Sequence, residues 1–168
     1  MNDKFILDAC CGNRIFWEDK ENVNVVFLDN RKEVKPEVLG DFKKLPFNNS
    51  RFELIVFDPP HILQKGFNNK LATHNYYGIL NPDTWKNDLK RGFDECFRVL
   101  KDYGTLIFKW SDCNRWANYK AKLKDVFEFI NYKPLIIEKF KKSENSITYW
   151  CVFMKIPKEL KKESEVGE

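Results

Sequence analysis

Two consecutive prolines, Pro59 and Pro60, follow directly on the apolar run Phe52-Glu53-Leu54-Ile55-Val56-Phe57 and the acid Asp58. Proline fixes φ and removes a backbone donor, so the run must end there as a strand with stiff carbonyls beyond it. The bland use of such a sequence is a rigid strand exit. The chemical use is a corner in which an acidic side chain and a fixed carbonyl accept both protons of an NH2 group, leaving the nitrogen lone pair facing an electrophile.

Other runs place that corner in an architecture. Lys4–Ala9 and Val25–Leu28 are short, apolar and end at polar turns without alternating cleanly, which reads as buried parallel strands. A weaker strand is expected through Glu37–Gly40, and Phe52–Phe57 is the fourth. Asn81-Pro82-Asp83 then supplies a helix start, and Trp85, Leu89, Phe93, Cys96, Phe97 and Leu100 recur at helical spacing. Lys101-Asp102-Tyr103-Gly104 turns into a fifth strand, Thr105–Trp110. A further helix is expected with Trp116, Tyr119, Leu123, Phe127 and Ile130 on one face. Pro134–Phe140 and Ile147–Ile156, joined by Ser143-Glu144-Asn145-Ser146, read as a terminal antiparallel hairpin. Alternating strands and helices closed by a hairpin predict an α/β fold with a mostly parallel, doubly wound sheet. Ligands of such sheets sit at the carboxyl ends of the strands.

With 168 residues, 43% of them hydrophobic, the chain supports one core. A single domain is expected over residues 1–156, followed by a charged tail, 157–168. The net charge of +4 suits an anionic partner without requiring one. Five cysteines form no CxxC pair and no spacing for zinc with the only two histidines, so no metal is expected. No signal peptide or membrane-length apolar run is seen, and reduced thiols in a cytoplasmic protein are expected.

The chemistry-bearing residues fall at strand ends. The first strand enters Asp8-Ala9-Cys10-Cys11-Gly12-Asn13-Arg14, where Gly12 permits close backbone approach to a nucleoside in a tight turn between strand and helix. The pattern G-x-G-x-x-G is absent, which argues against a nicotinamide enzyme. The second strand ends in Asp29-Asn30, where an acid suits ribose hydroxyls or merely opens a turn. Asp41 and Phe42 follow the third, an acid and a ring suited to adenine or to an ordinary loop over a core.

Taken in order, Asp8-Ala-Cys-Cys-Gly12, Phe-Leu-Asp29, Gly-Asp41-Phe42, Val-Phe-Asp58-Pro59-Pro60-His61 and Leu100-Lys-Asp-Tyr-Gly104 resemble the class I S-adenosylmethionine-dependent methyltransferases over nearly the whole chain. The Asp-Pro-Pro-His string resembles the Asp-Pro-Pro-aromatic motif of the branch that methylates planar amino groups. The resemblance implies a seven-stranded Rossmann-like sheet and S-adenosylmethionine as cofactor. It assigns Asp8 and Gly12 to the methionine part, Asp29 to the ribose and Asp41 with Phe42 to the adenine, and counts Ala9, Cys10 and Asn30 among the residues that bind the cofactor. It also implies Asp58, Pro59, Pro60 and His61 as the catalytic corner. Two departures stand out: the glycine-rich turn is reduced to Gly12, and histidine replaces the commoner Tyr or Phe at position 61.

The implied substrate is an exocyclic amino group of a nucleobase, adenine N6 in DNA ahead of an RNA base. The alternatives are a protein glutamine amide and a cofactor-binding module without catalysis. The stretch from His61 to Leu80 lacks periodicity and carries Lys65, Phe67, Tyr76 and Tyr77, cationic and aromatic groups suited to a lid that stacks an extruded base, or to local packing. No separate target-recognition domain is apparent, so a long duplex site would be read with loops, with a second copy of the chain as a homodimer, or with a partner subunit.

Overall fold

The chain's apolar runs pair into one seven-stranded sheet, seen in a computed structural model that describes residues 4–66, 78–113, 119–143 and 146–157. Its strands are β1 (Ile6–Asp8), β2 (Val25–Asp29), β3 (Val38–Leu39), β4 (Phe52–Phe57), β5 (Leu100–Cys113), β6 (Ile136–Ser143) and β7 (Ser146–Met154). They lie in the order β3-β2-β1-β4-β5-β7-β6, with β7 antiparallel to both β5 and β6 and every other pairing parallel. The strand order reverses between β1 and β4, which places the switch point of the sheet where Asp8 and Asp58 emerge.

Side chains in register across a sheet share a face. One face carries Leu7, Leu28, Ile55, Phe57, Leu106, Phe108, Cys151 and Phe153, all fully buried. Helix α1 (Trp85–Val99) covers it with Trp85, Leu89, Phe93, Cys96 and Val99. Phe93 packs edge-on against Phe57 and Phe153, with ring centroids 5.5 and 5.7 Å apart. Gly92 lets the helix come this close: a Cβ there would stand 2.7 Å from ring atoms of both Phe42 and Phe57. Arg98, clamped by Glu95, holds the carbonyls of Leu45 and Phe47 and so pins the segment before β4 to α1.

The opposite face is covered differently from expectation. A helix was expected after β1, yet residues 9–24 form successive turns. Gly12 and Arg14 take positive φ of 48° and 55°, and the Asp19 and Asn22 side chains accept the amides of Glu21 and Asn24, so local bonds displace the helical ladder. The segment is anchored by rings instead. Trp17 meets Phe27 edge-on at 6.0 Å, and the Arg14 guanidinium lies 4.1 Å from the centre of the Phe27 ring. This cover packs on Phe27 of β2, on Asp8 of β1 and, through Phe16, on Trp150 of β7. On the same face Ile107, Lys109, Trp150 and Val152 are half-buried, and Ile136, Glu138 and Phe140 are exposed.

The second expected helix is shorter than its pattern. Among the described residues it is α2 (Leu123–Phe127), started where Asp125 accepts the Lys122 amide and Asp112 accepts that of Leu123. Trp116 lies outside the described residues. The fifth strand begins at Leu100, directly from α1, and the hairpin pairs over nearly its whole expected length.

Candidate active site

At the carboxyl ends of β1, β2 and β4 a cavity of about 900 Å3 opens, within the size range of small-molecule sites. Ala9 and Cys10 line it from the turn after β1, Asp29, Asn30 and Arg31 from the end of β2, Phe42 from the loop after β3, and Asp58 and Pro60 from the end of β4. Asp88 and Thr84 close the side formed by the start of α1, hydrogen-bonded to each other at 2.7 Å. Gly78, with φ 70°, packs on Pro60 and brings the far end of the 61–80 segment back to the cavity. The Leu80 amide donates to the Ile62 carbonyl and the Gln64 amide to that of Leu80, which closes this loop at its base.

The corner itself is charged and ordered. Lys109, the β5 residue beside Asp58, donates to Asp58 Oδ2 at 2.6 Å, with each side chain about a quarter exposed. Pro59 is buried behind it. His61 meets the Trp110 ring edge-on at 6.4 Å. Burial pushes its imidazole below the ordinary value, nearby Asp58 pulls it back up, and Lys109 pushes it further down. The balance favours the neutral ring.

Asp29 is 5% exposed and its carboxylate is fully engaged. Oδ1 accepts from the Arg31 amide and Nε, both at 3.0 Å, and Oδ2 accepts from the Gly12 amide at 2.9 Å and Arg31 Nη2 at 3.2 Å. Gly12 thus fixes the β1 turn to the β2 end and does not itself line the cavity. Asn30 is exposed and lines the cavity from the same turn.

Two further residues assigned to the cofactor, Asp8 and Asp41, also stand outside the cavity lining. Asp8 is 1% exposed and sealed under the 9–24 turns, accepting from Trp17 Nε1 at 2.7 Å and the Cys10 amide at 3.2 Å. Burial overrides these donors and, with the charges of Asp58 and Asp29, pushes its carboxyl up to about 7. Asp41 spends its carboxylate on the Lys43 amide and ammonium in a local turn, leaving Phe42 alone to face the cavity. The Cys10 thiol is held well above its ordinary value and that of Cys11 is pushed up to about 12, chiefly by burial, so neither is a thiolate nucleophile.

Lys65 is exposed and paired with Asp83 at 2.9 Å, at the mouth of the loop. Phe67, Tyr76 and Tyr77 lie outside the described residues. Sequence reasoning missed Lys109, Trp17, Arg31 and Asp88. The signal for Lys109 was a charge at the carboxyl end of an otherwise apolar strand next to β4. Among the described residues no three or more His, Cys, Asp or Glu side chains form a metal-binding group, and no helix is long and apolar enough to cross a membrane.

This strand order and cavity define the class I methyltransferase fold. The N-methyltransferase NodS from Bradyrhizobium japonicum WM9, in complex with S-adenosyl-L-homocysteine, superposes with a TM-score of 0.59 at 14% identity, over 89% of this chain and 76% of that one. A SAM-dependent methyltransferase from Methanosarcina mazei gives 0.55 at 12% identity, over 90% and 92% of the two chains. The [4+2]-cyclase SpnF gives 0.62 at 10% identity, over 90% and 74%. The shared fold therefore hosts more than one chemistry, and function is argued from the site. No protein-family model and no curated protein matches the chain.

Proposed function

We propose that this chain is an S-adenosylmethionine-dependent methyltransferase acting on the exocyclic amino nitrogen of a nucleobase, adenine N6 in DNA ahead of an RNA base. One observation carries the reading: Asp58 and Pro60 line the same cavity as Cys10, Asn30 and Phe42, so the acidic corner opens onto the nucleoside-sized space. Names among the structural neighbours, NodS as an N-methyltransferase included, support methyl transfer to nitrogen.

The cavity's donor set suits the cofactor. Phe42 offers a ring for an adenine, Asn30 and Asp29 offer polar groups for a ribose, and small Ala9 and Cys10 leave room where the methionine part would run. For a ribose to reach Asp29, Arg31 has to yield at least one of its bonds. S-adenosylmethionine supplies an electrophilic methyl group on a positively charged sulfur.

The corner does the rest by positioning. Asp58 Oδ1 and the Pro59 carbonyl accept the two N–H bonds of the amino group. This draws its lone pair out of conjugation with the ring and aims it across the cavity. As the nitrogen gains its fourth bond, Asp58 Oδ1 takes the surplus proton and passes it to water. His61, neutral, stands beside the base as a ring surface and hydrogen-bonding group.

Lys65, Phe67, Tyr76 and Tyr77 are proposed to contact the nucleic acid as part of the 61–80 segment. A second copy or a partner subunit is proposed to share in reading the target. Incubation with labelled S-adenosylmethionine and separate pools of DNA, RNA and protein tests the reading: label is expected in nucleic acid. Label confined to protein overturns the nucleobase assignment, and label in no pool overturns the enzyme. If Lys65→Ala and Tyr77→Ala both leave nucleic-acid binding and methylation intact, the role of the loop fails.

A further inference from the structure

We infer that Lys109 determines which amines the corner takes: by cancelling the charge of Asp58 it admits a neutral planar amino group, an aromatic amine or a carboxamide, and turns away an alkylammonium ion. The inference rests on the reading of Asp58 given above and adds the substrate's charge state to it.

Lys109 is built into the corner by residues of both neighbouring strands. The β4–β5 register pairs Phe57 with Phe108 and so sets Asp58 beside Lys109. The β5–β7 register sets Lys109 opposite Trp150, whose ring centre lies 5.7 Å from the ammonium. Phe16 closes on Trp150 with ring centroids 5.0 Å apart. A lysine with a long flexible chain is thus held against one carboxylate oxygen, at 2.6 Å, by a strand neighbour and an aromatic wall.

Two consequences separate neutral from charged amines. The first is electrostatic. A lone carboxylate in a half-buried site attracts any cation, and an alkylammonium ion is the amine form that dominates at pH 7. Such an ion has no lone pair and cannot accept a methyl group, so it would block the site. With the Lys109 ammonium on Oδ2 the corner carries no net charge, and a second cation meets a like charge within the same small volume. The second is the count of acceptors. With the Lys109 ammonium on Oδ2, the acceptors offered to a planar NH2 are Oδ1 and, in the reading given above, the Pro59 carbonyl, one for each proton.

The test uses the full chain and two variants, Lys109→Met and Lys109→Arg, with S-adenosylhomocysteine binding as the measure of an intact cofactor site. An oligonucleotide methylated by the wild type serves as acceptor and n-butylammonium chloride as the charged probe. For Lys109→Met we expect kcat to fall about tenfold or more while the oligonucleotide KM and S-adenosylhomocysteine affinity stay within about threefold. Butylammonium should inhibit this variant at roughly tenfold lower concentration than the wild type, and Lys109→Arg should restore both values to within about threefold. Equal butylammonium sensitivity in wild type and Lys109→Met, or an unchanged kcat, overturns the inference and leaves the Asp58 reading in place. If Lys109→Met no longer binds S-adenosylhomocysteine, Lys109→Gln takes its place, and equal sensitivity there overturns the inference. A wild type that binds S-adenosylhomocysteine yet methylates no amino nitrogen overturns both.

Discussion

The indole N–H of Trp17 donates to Asp8 Oδ2 at 2.7 Å, sealing an acid of the first strand beneath the turns that replace a helix. The buried carboxyl sits at about 7, above the ordinary 3.8, because burial outweighs this bond. Its folded value exceeds its unfolded one, so its contribution to stability is fully present below about pH 4 and is lost as pH rises through 7. At roughly 1.4 kcal/mol per pH unit, the window holds at most about 4 kcal/mol. We expect Asp8→Asn to gain stability relative to the wild type as pH is raised from 4.5 to 7.5, read from urea midpoints. A difference that stays flat across that window contradicts the burial of Asp8 as a mostly protonated acid.

Arg31 and Asp29 form a partly buried pair at the cavity wall, and breaking such a pair leaves a desolvated charge. Arg31→Ala is expected to destabilise the unliganded protein by about 2–4 kcal/mol. It also frees Asp29 for ribose hydroxyls, so the thermal shift on adding S-adenosylhomocysteine should be larger in the variant than in the wild type. A smaller shift would mean that Arg31 itself holds the cofactor.

Gly92 links core packing to the cavity through Phe42. Gly92→Ala puts a methyl 2.7 Å from rings on two elements and should cost about 1–3 kcal/mol. Because Phe42 is one of those rings, cofactor affinity should fall as well. Unchanged S-adenosylhomocysteine binding in a destabilised Gly92→Ala protein would separate Phe42 from the cofactor site.

The strands were legible because buried parallel strands are short continuous apolar runs, and six of seven are seen within a few residues of their expected limits, from Ile6–Asp8 to Ser146–Met154. Helix α1 was legible from its spacing, although it starts at Trp85 with Thr84 as its cap, one turn beyond the Asn81 expected to open it. The 9–24 segment was not, since its order depends on left-handed turns and on Phe16 and Trp17 meeting β-strand residues far off in sequence. Asp29 and Asp58 were found as strand-end acids. That each carries a cationic partner, Arg31 and Lys109, follows only from neighbouring geometry. Asp8 shows the limit of reading position alone: the same strand end that could face a ligand is closed by one tryptophan.

The account turns on Asp58 as the group that holds an amino nitrogen at the cavity. Its most direct test is to digest nucleic acid labelled from S-adenosylmethionine and locate the methyl group by mass spectrometry, for the wild type and Asp58→Ala side by side. The expected result is an N-methylated exocyclic amino group, with the rate in Asp58→Ala lowered about a hundredfold or more and S-adenosylhomocysteine binding kept. Label on a ring carbon or a sugar oxygen, or near-normal turnover in Asp58→Ala, would contradict it.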